Sequence, residues 1–196
     1  GVILLPVAHH NLLDESKIYV EDCTIEHSEE LVNRLEEENV PLFLSGHLHV
    51  QHYMRNEEDR GIYEIVTSSL STPPCQYGVL EYRDDESFSY HTQQVDMEKW
   101  ARKHKSTDEN LLNFNTYAPA ALRTIFYNQS YDAMKDSEEE ETGDLFVKLT
   151  QRQKEQMSEV YAQLNAACYG GKAYEVVKEA TTTPAYKMWQ EYCYPM

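Results

Sequence analysis

Two short apolar runs that end next to histidines, with one helical stretch between them, restrict this chain more than any other feature. Val2 to Ala8 is a continuous apolar run of strand length, and Val40-Pro41-Leu42-Phe43-Leu44 is a second, followed by Ser45-Gly46. Unbroken apolar runs of this length fit strands buried on both faces of a parallel sheet. Pro6 has no N–H for a ladder, which places the end of the first strand or a sheet edge there. Between the runs, Ser28 reads as a helix N-cap, with Glu29 and Glu30 in the first turn where the helix dipole favours acids. Leu31, Val32 and Leu35 form an apolar stripe and Asn39 ends the helix. Strand, helix and strand in this order make a βαβ unit, with a right-handed crossover expected.

From Gly61 the period changes to two. Ile62 to Thr67, Tyr77 to Arg83 and Phe88 to Val95 are β-rich stretches separated by turn residues, and an antiparallel meander is the simplest arrangement for them. After Asp96 the pattern becomes helical. Asp108 to about Lys135 sets Leu111, Leu112, Ala118, Leu122, Ile125 and Phe126 near one face, with Pro119 expected to kink or divide the helix. The acidic run from Asp136 to Glu141 reads as a solvated loop. Thr150 then caps a helix carrying Met157, Val160, Tyr161, Leu164 and Cys168 on one face, and Gly170-Gly171 stops it. Lys172 to Ala180 suggests another helix, and Thr183-Pro184 begins a last one. The expected class is α/β (α+β), with residues 1–96 forming one domain and residues 97–196 a second, helical one.

Charge divides the chain at the same place: 19 acids and 5 bases precede residue 97, against 15 acids and 12 bases after it. A net charge of -17 repels nucleic-acid backbones and anionic lipid surfaces. Neither a nucleic-acid partner nor a membrane segment is therefore expected. The chain opens in a strand pattern without an initiator Met, which reads as a piece of a longer protein and leaves its compartment open. Cys23, Cys75, Cys168 and Cys193 show no zinc-type spacing and read as reduced packing residues.

Four of the eight histidines stand where the fold makes them interesting. His9-His10 follow the first apolar run, and His47-Leu48-His49 follow the second. In open α/β sheets, ligands bind beyond the carboxyl ends of the parallel strands, so both clusters should face one crevice. Neutral imidazole is the commonest protein ligand for divalent transition ions, and Gly46 is expected to supply the sharp turn that aims the following rings inward. His9, His47 and His49 are the candidate ligands, with His10 facing either metal or phosphate. Asp14 is the nearest carboxylate and reads as a solvated loop residue. His27, His52, His91 and His104 read as solvated.

Ser45-Gly46-His47-Leu48-His49 resembles the closing Gly-His-x-His motif of the calcineurin-like metallophosphoesterases, and Val7-Ala8-His9-His10-Asn11 resembles the strand-end motif before it, usually His-His-Pro. Thr67-Ser68-Ser69-Leu70 and Tyr77-Gly78-Val79-Leu80 are similar to that family's C-terminal strands, so the resemblance covers about residues 2–96. It implies the C-terminal part of a β-sandwich metallophosphoesterase domain, similar to bacterial phosphodiesterases of cyclic nucleotides that carry a helical C-terminal domain. It further implies two divalent ions (Mn, Fe or Zn) that activate water against a phosphoester. By motif position His9 and His47 would hold one ion and His49 the other.

The family's Asp-x-His, Gly-Asp-x-x-Asp and Gly-Asn-His-Asp/Glu motifs, which supply the bridging aspartate and the catalytic histidine, do not occur in this chain. The resemblance therefore implies no catalytic residue here, one ion or none, and a chain inactive by itself, within a parent acting on a small phosphoester. Two other readings compete. One is a non-catalytic interaction module whose tyrosine-rich helices bind a partner. The other is a one-metal hydrolase built on His9, His47 and His49. Tyr53 or Tyr77 offers a ring on which a nucleotide base could stack.

Overall fold

A computed structural model of the chain describes residues 3–14, 23–56, 61–83, 87–139, 149–173, 175–176 and 183–187. Two compact units divide between Val95 and Asp96, and the chain as a whole is of mixed α+β class.

The first unit holds helix α1 (Ser28–Glu37), strands β1 (Leu42–Ser45), β2 (His52–Arg55) and β3 (Tyr63–Val66), and the hairpin of β4 (Gln76–Tyr82) and β5 (Phe88–Gln94). Helix α1 starts one residue earlier than the sequence suggests: His27, at φ 58°, is its N-cap and makes no side-chain cap bond, while Ser28 is already helical. Its other end follows expectation. Asn39 takes the left-handed conformation at φ 56°, the Asn39 N–H donates to Glu36 O (3.0 Å), and the Val40 N–H donates to Leu35 O (2.9 Å). This crossed pair satisfies the last carbonyls and turns Val40 back toward Leu35, both in the core.

The expected three-strand meander does not form. Strand β3 is central, parallel to β1 and antiparallel to β2, which the alternation rule passed over because His52-Tyr53-Met54-Arg55 has no clear apolar face. Among the described residues β4 and β5 pair only with each other, from Gln76↔Gln94 to Tyr82↔Phe88. The first apolar run joins β1 through one parallel bridge, Val7↔Leu44, with Leu44 N–H donating to Pro6 O (3.1 Å) and Ala8 N–H to Leu44 O (3.0 Å). It is not buried on both faces as expected: Ile3, Leu4, Leu5 and Val7 are 40–69% exposed. Only β1 pairs with this stretch among the described residues, so its far edge and its apolar side chains face outward.

The core of this unit is Leu12, Leu13, Leu35, Val40, Phe43 and Ile62, with Ala8, Ile25, Leu31, Val32 and Met54 against it. The hairpin has its own device. A Cβ on Gly78 would lie 2.5–2.8 Å from Tyr90 ring and hydroxyl atoms, so only glycine lets that ring lie across the hairpin. The Tyr90 hydroxyl then stands 3.2 Å from Gln51 Nε2 and 3.2 Å from Thr67 Oγ1.

The second unit contains α2 (Met97–Lys103), α3 (Glu109–Leu112), α4 (Phe114–Glu139) and α5 (Gln151–Tyr169). Asp96 and Asp108 cap α2 and α3 by accepting backbone N–H bonds. The division expected at Pro119 falls at Asn113, the C-cap of α3, and Pro119 lies inside α4. In the second turn a proline removes a single ladder bond, which the remaining turns tolerate. The acidic run is helical as far as Glu139, contrary to the loop expectation, and its last two residues lie outside the described ones.

Ala118, Leu122, Phe126 and Met134 are the buried side of α4, whereas Ile125, one step beyond Ala118 at the rim of that stripe, is 52% exposed. Thr150 caps α5 in a reciprocal box with Gln153, and Met157, Val160, Ala162 and Leu164 are buried. Phe126 meets Tyr161 and Tyr169 at ring separations of 6.2 and 5.5 Å. An ion pair between Arg123 and Glu159 links the surfaces of α4 and α5. Gly170 is the C-cap. Thr183 caps a helical turn by accepting from Tyr186 N–H; most of the expected helix from Lys172 to Ala180 lies outside the described residues, as does Cys193. No described helix is long and apolar enough to cross a membrane.

Burial raises the Cys75 and Cys168 thiols above their ordinary range. Less thiolate is then present at any given pH, so alkylation of both by iodoacetamide should be slow at pH 8. Its rate should keep climbing beyond ~8.5, the ordinary thiol pKa. Mass-spectrometric alkylation rates across pH check this, and a plateau at ordinary pH would contradict it.

Candidate functional site

Three chain segments run in parallel and end at one edge of the first unit: residues 3–8, β1 and β3. His9-His10 follow the first, Gly46-His47 the second and Thr67-Ser68 the third. The Gly46 N–H donates to His9 O (3.2 Å), which fastens the first two ends together. His47 Nδ1 and His9 Nε2 are 3.1 Å apart, the His9 and His47 rings meet edge to face at 5.0 Å, and His10 stacks on His47 at 4.4 Å. The two histidine motifs, 38 residues apart in sequence, thus converge. His49 enters none of these contacts and is exposed.

The turn that brings this about differs from the expected one. Gly46 does not adopt a positive φ; His47 and His49 do, at 61° and 58°. A side chain in the left-handed region costs about 1–2 kcal/mol through Cβ contact with the following carbonyl. Two such residues, one apart, concentrate strain at the strand end, where function commonly keeps it.

Beneath the histidines lies a buried polar network that sequence reading missed. Glu64 on β3 is fully buried, as is Asn11. One carboxylate oxygen of Glu64 accepts the Leu12 N–H (2.8 Å) and the Ser45 hydroxyl (2.5 Å), and the other accepts the Leu13 N–H (2.6 Å). Asn11 Nδ2 donates to Ser45 Oγ (2.9 Å) and Gly46 O (3.4 Å), while its Oδ1 is buried and has no hydrogen-bond partner. A charged residue in the alternating pattern of β3 reads as solvent-facing, so the only signal was indirect: Glu64 falls between apolar neighbours in a strand otherwise buried.

Asp14, the carboxylate nearest in sequence, is exposed and lines a separate cleft with Leu12, Leu13, Thr24, Ser28 and Asn33. His27, His52, His91 and His104 are exposed.

An ion ~2.0–2.1 Å from each of two ring nitrogens holds those nitrogens about 3.0–3.4 Å apart. The His9–His47 spacing therefore fits a shared ion as well as a shared proton. Stacked rings point their in-plane lone pairs along near-parallel planes, so His10 does not converge with His47 on a common point. Among the described residues no group of three or more His, Cys, Asp or Glu stands ready to hold an ion. The chemistry available at this edge is two-imidazole coordination or proton sharing.

Residues 96–196, slightly more than half of the chain, match the family described as the C-terminal domain of cyclic nucleotide phosphodiesterase. A search of curated proteins returned no match.

His49→Gly should raise the unfolding free energy by up to about 1 kcal/mol, once the entropy of the added glycine offsets part of the relieved strain, and so move the urea midpoint upward. A lower midpoint would mean that packing by the His49 side chain outweighs its backbone strain.

Proposed function

The chain belongs to the family defined by the C-terminal domain of cyclic nucleotide phosphodiesterase, and from that premise we propose that it is part of a metal-dependent phosphodiesterase. In this reading residues 1–96 are the C-terminal portion of a calcineurin-like metallophosphoesterase domain, and residues 97–196 are its helical companion. The matched residues lie in the second unit, whereas the metal chemistry rests on the first. The observation that carries it is the convergence of His9 and His47, 3.1 Å between ring nitrogens, at the carboxyl ends of adjacent parallel segments.

His9 and His47 would hold one divalent ion, His49 would contribute to a second, and His10 would face metal or phosphate. Such an ion pair supplies a lowered pKa for water and neutralises charge on phosphate oxygens. The chain's own part is to present neutral imidazoles from a stiff backbone. Imidazoles alone do not offset the repulsion between two dications; carboxylates must do so, and this histidine cluster contains none. The exposed apolar stretch Ile3, Leu4, Leu5 and Val7 supports continuation of the sheet beyond this edge. The chain by itself is accordingly inactive and takes up one ion or none, and the substrate is a small phosphoester such as a cyclic nucleotide.

Hydrolysis of bis(p-nitrophenyl) phosphate with Mn²⁺ tests the reading, on this chain and on the whole gene product that contains it. The gene product should turn over and lose at least about 100-fold in rate in His47→Ala, in keeping with removal of a metal ligand, while this chain stays at background. A gene product without metal-dependent turnover would refute the proposal. Turnover by this chain, abolished in His47→Ala, would replace it with the one-metal reading.

A further inference from the structure

We propose that Glu64 is the positioning residue of the histidine cluster, a buried carboxylate that sets the spacing between its two histidine-bearing segments. The inference rests on the metal reading only for its second readout, since the first concerns the imidazoles themselves.

The side-chain bonds of Glu64 go to residues just outside a histidine pair or motif. Leu12 and Leu13, whose N–H groups it accepts at 2.8 and 2.6 Å, follow His9-His10 after one residue. Ser45, whose hydroxyl it accepts at 2.5 Å, precedes Gly46-His47. Asn11 closes the ring by donating to Ser45 Oγ at 2.9 Å. Protons therefore run in one direction, Asn11 amide to Ser45 hydroxyl to Glu64 carboxylate, and no member can rotate without breaking the next bond. A carboxylate at 0% exposure is retained here against the cost of desolvation.

A merely structural role could be met by apolar side chains, which would leave the spacing of the two histidine segments to their backbone bonds alone. With both oxygens engaged, the carboxylate ties them at a single separation. Glutamine in its place has only one accepting oxygen and turns an NH₂ donor toward either the Leu12 or the Leu13 N–H.

The test compares wild type, Glu64→Gln, Ser45→Ala and Ile65→Ala. Ile65 is the next residue on β3, buried on the opposite face. Long-range ¹H–¹⁵N spectra of the imidazoles are recorded without metal, and Co²⁺ binding is then titrated by visible absorbance. Glu64→Gln and Ser45→Ala should move the His9 and His47 nitrogen shifts toward those of separate solvated imidazoles and raise the Co²⁺ Kd about 10- to 100-fold, the range for partners that orient metal ligands. Ile65→Ala should lower the denaturation midpoint and leave both readouts in place.

Glu64→Gln that folds with wild-type imidazole shifts would overturn the proposal. Should that variant not fold, wild-type shifts in Ser45→Ala would do so, because Glu64 there keeps both backbone bonds and the fold. Equal changes in Ile65→Ala would also overturn it, by reducing the effect to general loosening. A wild-type chain that shows the shared imidazole proton but binds no Co²⁺ is the ion-free case of the metal reading, which the whole gene product then tests, and the spectra of the variants still decide the role of Glu64.

Discussion

The carboxylate of Glu64, buried in β3 and saturated by two backbone N–H groups and one hydroxyl, is the interaction on which the first unit is organised. Leu12 and Leu13 are core residues, and their backbone leaves the sheet edge and turns inward. Buried N–H groups without acceptors would make that path unfavourable by ~1–3 kcal/mol each. By accepting both, Glu64 lets the chain pass under the histidine edge and deliver two leucines to the core. The same group reaches Ser45 at the end of β1, so the turn into the core and the end of β1 meet on one side chain.

Much of this architecture was legible because local signals agreed with it. The αL asparagine after α1, the Thr150 capping box and the glycine stop after α5 are short-range devices, decided within a few residues. The failures share a cause as well. The strand formed by His52–Arg55 carries no hydrophobic alternation, and its place in the sheet comes from pairing with Val66 to Tyr63. Pro119 is a breaker by type, yet the break falls at Asn113, where the α3 turn closes on Glu109 O. Ile125 fits an apolar stripe drawn over too wide an arc, and the partner helix buries Leu122 and Phe126 instead.

For the site, sequence spacing anticipated which strand ends carry histidines to one edge but not how those histidines are held. The strand-end argument brought His9, His10, His47 and His49 to one crevice; the rings of the first three meet, and His49 enters none of these contacts. It assigned the sharp turn to Gly46, the residue with most freedom, whereas His47 and His49 take the left-handed conformation themselves. Conformational freedom shows what a residue can do, and long-range bonds determine what it does. Nothing in local pattern marks Glu64, since its partners lie 19 to 52 residues away.

The absence of a side chain at Gly78 has a dynamic consequence. Through that gap Tyr90 spans from the hairpin to Gln51 and Thr67, which flank the central sheet. Thr67 N–H in turn donates to Ser45 O at 2.9 Å. A fluctuation that peels β5 from its place must therefore break a hydroxyl contact one residue beyond β3, and a loosened strand end frees the hairpin in return. The two sheets should accordingly open as one unit in amide exchange, with the slowest protons of β4 and β5 keeping pace with those of β3. Motion in a hairpin that bears no histidine of the cluster is thereby felt at the edge where the cluster sits.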